Sequence, residues 1–283
     1  LDKRKLEEKL FKLLMLASIF IIVSSLLAVI GIVLWRGLPA LSLSMITQIP
    51  MGGYYLGKEG GVLNAIVGSI YLAFGATAIA LPLSLAIAFY LQREYSSRSK
   101  IASLARLSLD ILWGVPSIVY GAFGFTVMLL LGMRASLLGG IITLALLELP
   151  ILTRSMDEVL SMIPLELKQA SYALGATRLE TSIKVVAKQA LPGFLTGVLL
   201  AFGRGIGDAA SILFTAGYTD HIPGSLFDPT ASLPLAVFLQ LGTPVPEVQE
   251  KAYASAVILL IIVLSLSLAS RFLAKRFARY TVK

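Results

Sequence analysis

The sequence predicts an all-α membrane protein with six transmembrane helices, and three observations carry that prediction. Hydrophobic residues make up 57% of the 283 positions and charged ones only 14%, against about 45–50% and about 25% in soluble domains. The apolar residues fall in six runs, each long enough for the roughly 20 residues that a bilayer-spanning helix needs. The runs are apolar on every face. Barrel strands would alternate polar and apolar residues over about 10 positions.

The first run, 13–34, carries no charge and exceeds the roughly 7–15 apolar residues of a cleaved signal, so it reads as a permanent helix. The second, 62–91, is longer than a bilayer requires and contains Pro82, so a kink, tilt or extension absorbs the excess. The third, 111–133, follows an amphipathic lead-in at 101–110. The fourth, 135–153, holds one acid, Glu148, for which a cytoplasmic arginine such as Arg154 is the expected partner. The fifth, 190–217, is interrupted by Arg204 and Asp208, and the sixth, 252–270, is uncharged. Asp110 falls at the edge of the third run, where interfacial solvation accounts for it.

Lysine and arginine give the orientation. Lys3, Arg4, Lys5, Lys9 and Lys12 share a side with Arg93, Arg98, Lys100 and Arg106. Arg154, Lys168, Arg178, Lys184 and Lys188 join them, as do Arg271, Lys275, Arg276, Arg279 and Lys283. The other side has only Arg36, Lys58, Arg134 and Lys251. Both termini are therefore expected in the cytoplasm, as an even number of spans requires. The net charge of +8 and the pI near 9.7 are explained by this partition, and no nucleic-acid partner is needed. The absence of cysteine excludes a disulfide framework and thiolate metal sites.

Two external loops, 35–61 and 218–251, are sizeable. Gly52 to Lys58 fits G-x-x-x-x-G-K, but Glu59 stands where a phosphate loop needs Ser or Thr, and the segment follows a membrane helix on the external side. It is a chance match, and the chain shows no nucleotide site or cofactor motif of its own. His221, the single histidine, reads as an exposed loop residue. The cytoplasmic loop 154–189 is different. Pro164 opens a helix through LELKQASYAL, Gly175 is a suitable C′ residue, and Thr177 with Glu180 makes a capping box that starts a second helix. About 35 ordered residues is long for a helix–helix connection, usually 2–8, and suggests a docking surface.

Within that loop, QASYALGAT followed by IKVVAKQALPG resembles the cytoplasmic coupling loop of ABC-importer permeases. The matching positions are Gln169, Ala170, Ser171, Gly175, Leu191 and Pro192, with Gln169 replacing the usual first acid. GGVLNAIVGSIYL at 60–72, GVPSIVYGAFGF at 114–125, ILTRSMDEVLSMIP at 151–164 and GRGIGDAASILFTAG at 203–217 resemble phosphate-specific permeases. With LPLAVF at 233–238, they favour the PstA type over its PstC-type partner. The resemblance covers about residues 60–275. It implies the type I importer permease fold, with an N-terminal segment, first helix and external loop at 1–61, a permease domain at 62–275 and a cytoplasmic tail at 276–283. It also implies a second six-helix permease, two cytoplasmic ATPase subunits that hydrolyse ATP, and an extracytoplasmic phosphate-binding protein. Gln169, Ala170, Ser171 and Gly175 would then transmit ATPase closure to the membrane, and the chain itself would not be an enzyme.

Arg204 and Asp208 are the candidate substrate-pathway residues. Intramembrane charge costs at least about 2.5–3.5 kcal/mol on insertion scales and marks functional sites by default. Four residues apart on a helix, the two share a face. A guanidinium fork suits a tetrahedral oxyanion, and a nearby carboxylate accepts a hydrogen bond from the protonated oxygen of HPO₄²⁻ while repelling fully deprotonated sulfate. In relatives the acid is usually Glu, one methylene longer. Gly193 and Gly197, with Gly203, Gly205 and Gly207, predict close helix packing here. The alternatives are a permease for sulfate, molybdate or tungstate, or an ion-coupled secondary transporter. Against the latter stand the docking loop and the lack of a visible inverted repeat.

Overall fold

The computed structural model describes residues 3–51, 59–92 and 99–278, so the Gly52–Lys58 match, Arg93, Arg98, Arg279 and Lys283 lie outside the described residues. Helix α1 runs Lys3–Ala40, α2 Leu43–Thr47 and α3 Leu63–Leu91. A two-residue antiparallel ladder, β1 Pro50–Met51 with β2 Glu59–Gly60, precedes α3. Then follow α4 Lys100–Gly114, α5 Ser117–Leu130, α6 Leu137–Ser161, α7 Leu165–Ala173 and α8 Arg178–Glu180. A π-helical turn, Thr181–Val186, leads into α9 Ala187–Gly207, and α10 Leu233–Leu241 and α11 Pro246–Ala278 complete the chain.

Five helical segments are long and apolar enough to cross a membrane, and the count reaches six if the bent pair α4–α5 makes one crossing. That pair corrects the expected third span. Residues 111–133 do not form one helix: α4 and α5 meet at 100°. Pro116 is the cause. A residue before proline is driven out of the α region, and Val115 is extended at ψ 129°. The amphipathic lead-in therefore extends to Gly114. By itself α5 would span only about 21 Å at 1.5 Å per residue.

The fifth span also ends earlier than the expected 217. Its helix runs continuously from Arg178 and stops at Gly207. Residues 208–217 turn instead, and their backbone is satisfied within the protein. Ser136 N donates to Thr215 O at 2.9 Å, Thr230 N to Ala216 O at 2.9 Å, and Ala216 N to Ile212 O at 3.0 Å. Irregular backbone at membrane depth is tolerated when it is buried in this way.

The main core lies among α3, α6 and α9. Lipid tails are as apolar as leucine, so membrane helices associate through close packing, and small residues permit it. On α3 these are Ser69, Ala73, Ala76, Ala80, Ser84 and Ala88, spaced by three or four and all buried. On α9, a Cβ at Gly193 would meet Val159 of α6 and one at Gly197 would meet Ser155. The two helices thus run antiparallel in a fixed register. A second cluster, including Met45, Val62, Leu233 and Ala254, ties α2, α10 and α11 together. Helix α1 packs chiefly against α11, and its most apolar stretch has no buried residue.

Candidate functional site

The helix–turn–helix expected at 154–189 is present in detail. Helix α7 starts after Pro164 and ends before Gly175, which adopts φ +84°, the left-handed region where glycine has no Cβ penalty. Thr177 and Glu180 close the capping box. Thr177 N donates to Glu180 Oε2 at 3.0 Å, and Glu180 N donates to Thr177 Oγ1 at 3.3 Å. The bonds from Thr177 hold the Glu180 carboxyl down at about 2, and Lys184 Nζ, 3.2 Å from Oε1, helps.

Of the four expected coupling residues, Gln169 and Ala170 are exposed and Gly175 forms the exposed turn. Ser171 faces inward, its hydroxyl 2.9 Å from Thr181 Oγ1 in a buried contact that fastens α7 to the π-helical turn. Leu174 beside the turn is 89% exposed and Leu179 is 70% exposed. A cavity of about 420 Å³ opens between this unit and the end of α3, lined in part by Phe89, Tyr90, Lys168, Tyr172 and Ile183. Phe89 and Phe194 meet edge to face at 6.1 Å and link α3 to α9.

Arg204 lies on the last turn of α9 and is exposed. Asp208 is the C-cap, extended at ψ 127°. The premise that both sit on one helix face therefore fails, because the helix ends between them, and no ion pair joins them. Asp208 Oδ2 instead accepts from Ser211 N at 2.8 Å, which organises the turn after the helix. Arg204 has no hydrogen-bond or ion-pair partner among the described residues. His221 is exposed, as expected.

Glu148 and Asp110 are placed differently from expectation. Glu148 is fully buried in α6, accepts from Thr77 Oγ1 of α3 at 2.8 Å, and does not pair with Arg154. Arg154 Nε turns to Asp110 Oδ1 at 3.2 Å and Glu158 Oε1 at 3.5 Å. Asp110 is thus ion-paired as well as half-exposed. Sequence reasoning missed Asp157, which is 4% exposed and receives Arg106 Nε at 2.8 Å and Gln92 Nε2 at 2.7 Å. An acid within the charged last turns of α6, close to Arg154 and Glu158, was the available signal.

Residues 80–281 match the family described as binding-protein-dependent transport system inner membrane component. The chain belongs to this family. Among relatives, the phosphate transport system permease protein PstA of Xylella fastidiosa strain 9a5c is 35% identical over 85% of this chain and 83% of its own length. That of Haemophilus influenzae is 32% identical over 95% and 94%. PstA 1 of Mycobacterium tuberculosis (strain CDC 1551 / Oshkosh) is 36% identical over 77% and 72%. An inward-facing structure of the MetNI methionine ABC transporter aligns with TM-score 0.60 and 20% identity over 77% of this chain and 94% of that one. This likeness establishes the type I importer permease fold. The family's membership and its apolar helices make the chain a multi-pass membrane protein.

Proposed function

We propose that the chain is the PstA-type permease subunit of an ATP-driven phosphate importer. The observation that carries this reading is the identity to PstA permeases across most of the chain, on a fold whose loop 154–189 is an ordered helix–turn–helix. The chain acts as a transport subunit, and ATP hydrolysis belongs to two separate cytoplasmic subunits. One of them docks at the exposed surface of Gln169, Ala170, Leu174 and Gly175, with Ser171 anchoring that surface to the helix leading into α9. A movement applied to α7 then reaches α9 through the Ser171–Thr181 contact and the continuous helix from Arg178.

A PstC-type second permease completes the path, and an extracytoplasmic binding protein delivers the anion. The excess of Lys and Arg supports an orientation with both termini and loop 154–189 in the cytoplasm. The division into segments 1–61, 62–275 and 276–283 follows the same scheme, with the permease domain carrying the path. Arg204 offers to the phosphate oxygens a guanidinium that has no partner among the described residues. Asp208 contributes differently from a paired acid: one oxygen is committed to Ser211 N, and the other accepts a hydrogen bond from the protonated oxygen of HPO₄²⁻, which discriminates against sulfate.

The test is ATP hydrolysis by the co-purified complex with binding protein and either phosphate or sulfate. Phosphate alone should stimulate. Arg204→Ala should abolish phosphate uptake while the subunits still co-purify. Near-normal uptake by that variant would remove Arg204 from the path.

A further inference from the structure

Glu148 is the one acid in the middle of the α3–α6–α9 core, and the transport scheme makes no use of it. Its residue is 0% exposed. Oε2 is engaged by Thr77, while Oε1 is buried without a hydrogen-bond partner. That oxygen is pressed against α9 at Gly205, where a Cβ would collide with it. Gly205 continues the row in which Gly193 faces Val159 and Gly197 faces Ser155. The carboxyl group therefore fills the last notch of the α6–α9 contact, where a methyl group on α9 has no room. Arg204 immediately precedes Gly205 on α9, about 100° around the helix, and is exposed.

We propose that Glu148 is a positioning residue: wedged between Thr77 and the backbone of Gly205, it sets the rotation of α9 and so the direction in which Arg204 faces. Glutamine preserves the shape and still accepts from Thr77. Alanine leaves space into which α9 can roll. A methyl on Gly205 pushes α9 away, unless Glu148 is also cut back to make room. The inference rests on the reading of Arg204 as a pathway residue for its functional consequence, but not for the geometry itself.

The absence of cysteine in the sequence allows a direct test in the full chain in its native membrane. Single cysteines replace Leu200, Gly203 or Gly207, and the rate of modification by a water-soluble maleimide is measured at each. Glu148→Ala and Gly205→Ala should each redistribute the rates among the three positions. Glu148→Gln should preserve the parent pattern, and the double variant Glu148→Ala/Gly205→Ala should return towards it. Phosphate uptake should follow, with KM raised about 10-fold or more and kcat largely retained in the two single alanine variants. An unchanged pattern in Glu148→Ala, or a Glu148→Gln pattern like that of alanine, overturns the proposal. A redistributed pattern supports it. If uptake then stays normal, the failure belongs to Arg204 as an anion contact.

Discussion

Asp157 accepts Arg106 Nε at 2.8 Å and Gln92 Nε2 at 2.7 Å, so one carboxylate joins the end of α3, the amphipathic α4 and the far end of α6. Arg106 Nη2 also donates to Leu91 O at 3.0 Å, closing the ring. The charges are only partly withdrawn from water on the arginine side, with 24% of that side chain exposed against 6% for Asp157.

Asp157→Ala should therefore lower the stability of the purified protein by about 2–3 kcal/mol. That is somewhat below the roughly 3–5 kcal/mol for breaking a fully buried pair. Thermal unfolding in detergent measures it. Asp157→Asn should cost less, because it still accepts from Gln92. Equal losses in the two variants would show that the charge carries the whole effect and the acceptor kept by asparagine none of it.

Gly175 separates backbone from packing effects. No neighbour lies within 4 Å of a Cβ built there, but φ is +84°. Gly175→Ala should destabilise the loop by about 1–2 kcal/mol through the left-handed backbone alone. Limited proteolysis at 174–177 should accelerate, and phosphate-stimulated ATP hydrolysis should fall. Gly175→Asn should fall between the two, since asparagine tolerates that conformation better than alanine.

Glu180 predicts a pH dependence with a definite sign. Its carboxyl is depressed to about 2 by the bonds from Thr177 and by Lys184, so folding favours the charged form. The stabilisation is fully present above the ordinary carboxylate range and is lost as pH falls from there towards about 2. Amide exchange at Thr177 and Glu180 should stay flat from neutral pH to about pH 5, after correction for intrinsic exchange rates, and then rise. In Glu180→Gln the acid-dependent rise should disappear.

Long-range contacts were what the sequence hid. Run lengths reveal helices, because 20 apolar residues have few other uses, and Thr177 with Glu180 reveals a cap because its parts are three residues apart. Val115–Pro116 carried the signal for the bend, overridden by the apolar composition on both sides. The helix end at Gly207 was signalled by the glycines at 203, 205 and 207, which read equally well as packing. Nothing local links Thr77 with Glu148, 71 positions apart, or Arg106 with Asp157, 51 apart. Those partners are chosen by how helices cross.

The outlying position of α1 has a consequence for how much its sequence has to specify. A helix with none of its most apolar window buried within the chain, beside α6 with 67% of its window buried, answers mainly to the solvent that lipid provides. Along α6 each position discriminates among side chains by shape, so tolerance to substitution should rise and fall with the helical turn. Along most of α1 any apolar residue satisfies the same requirement. Its message is a length and a composition, written in an alphabet of nearly synonymous letters.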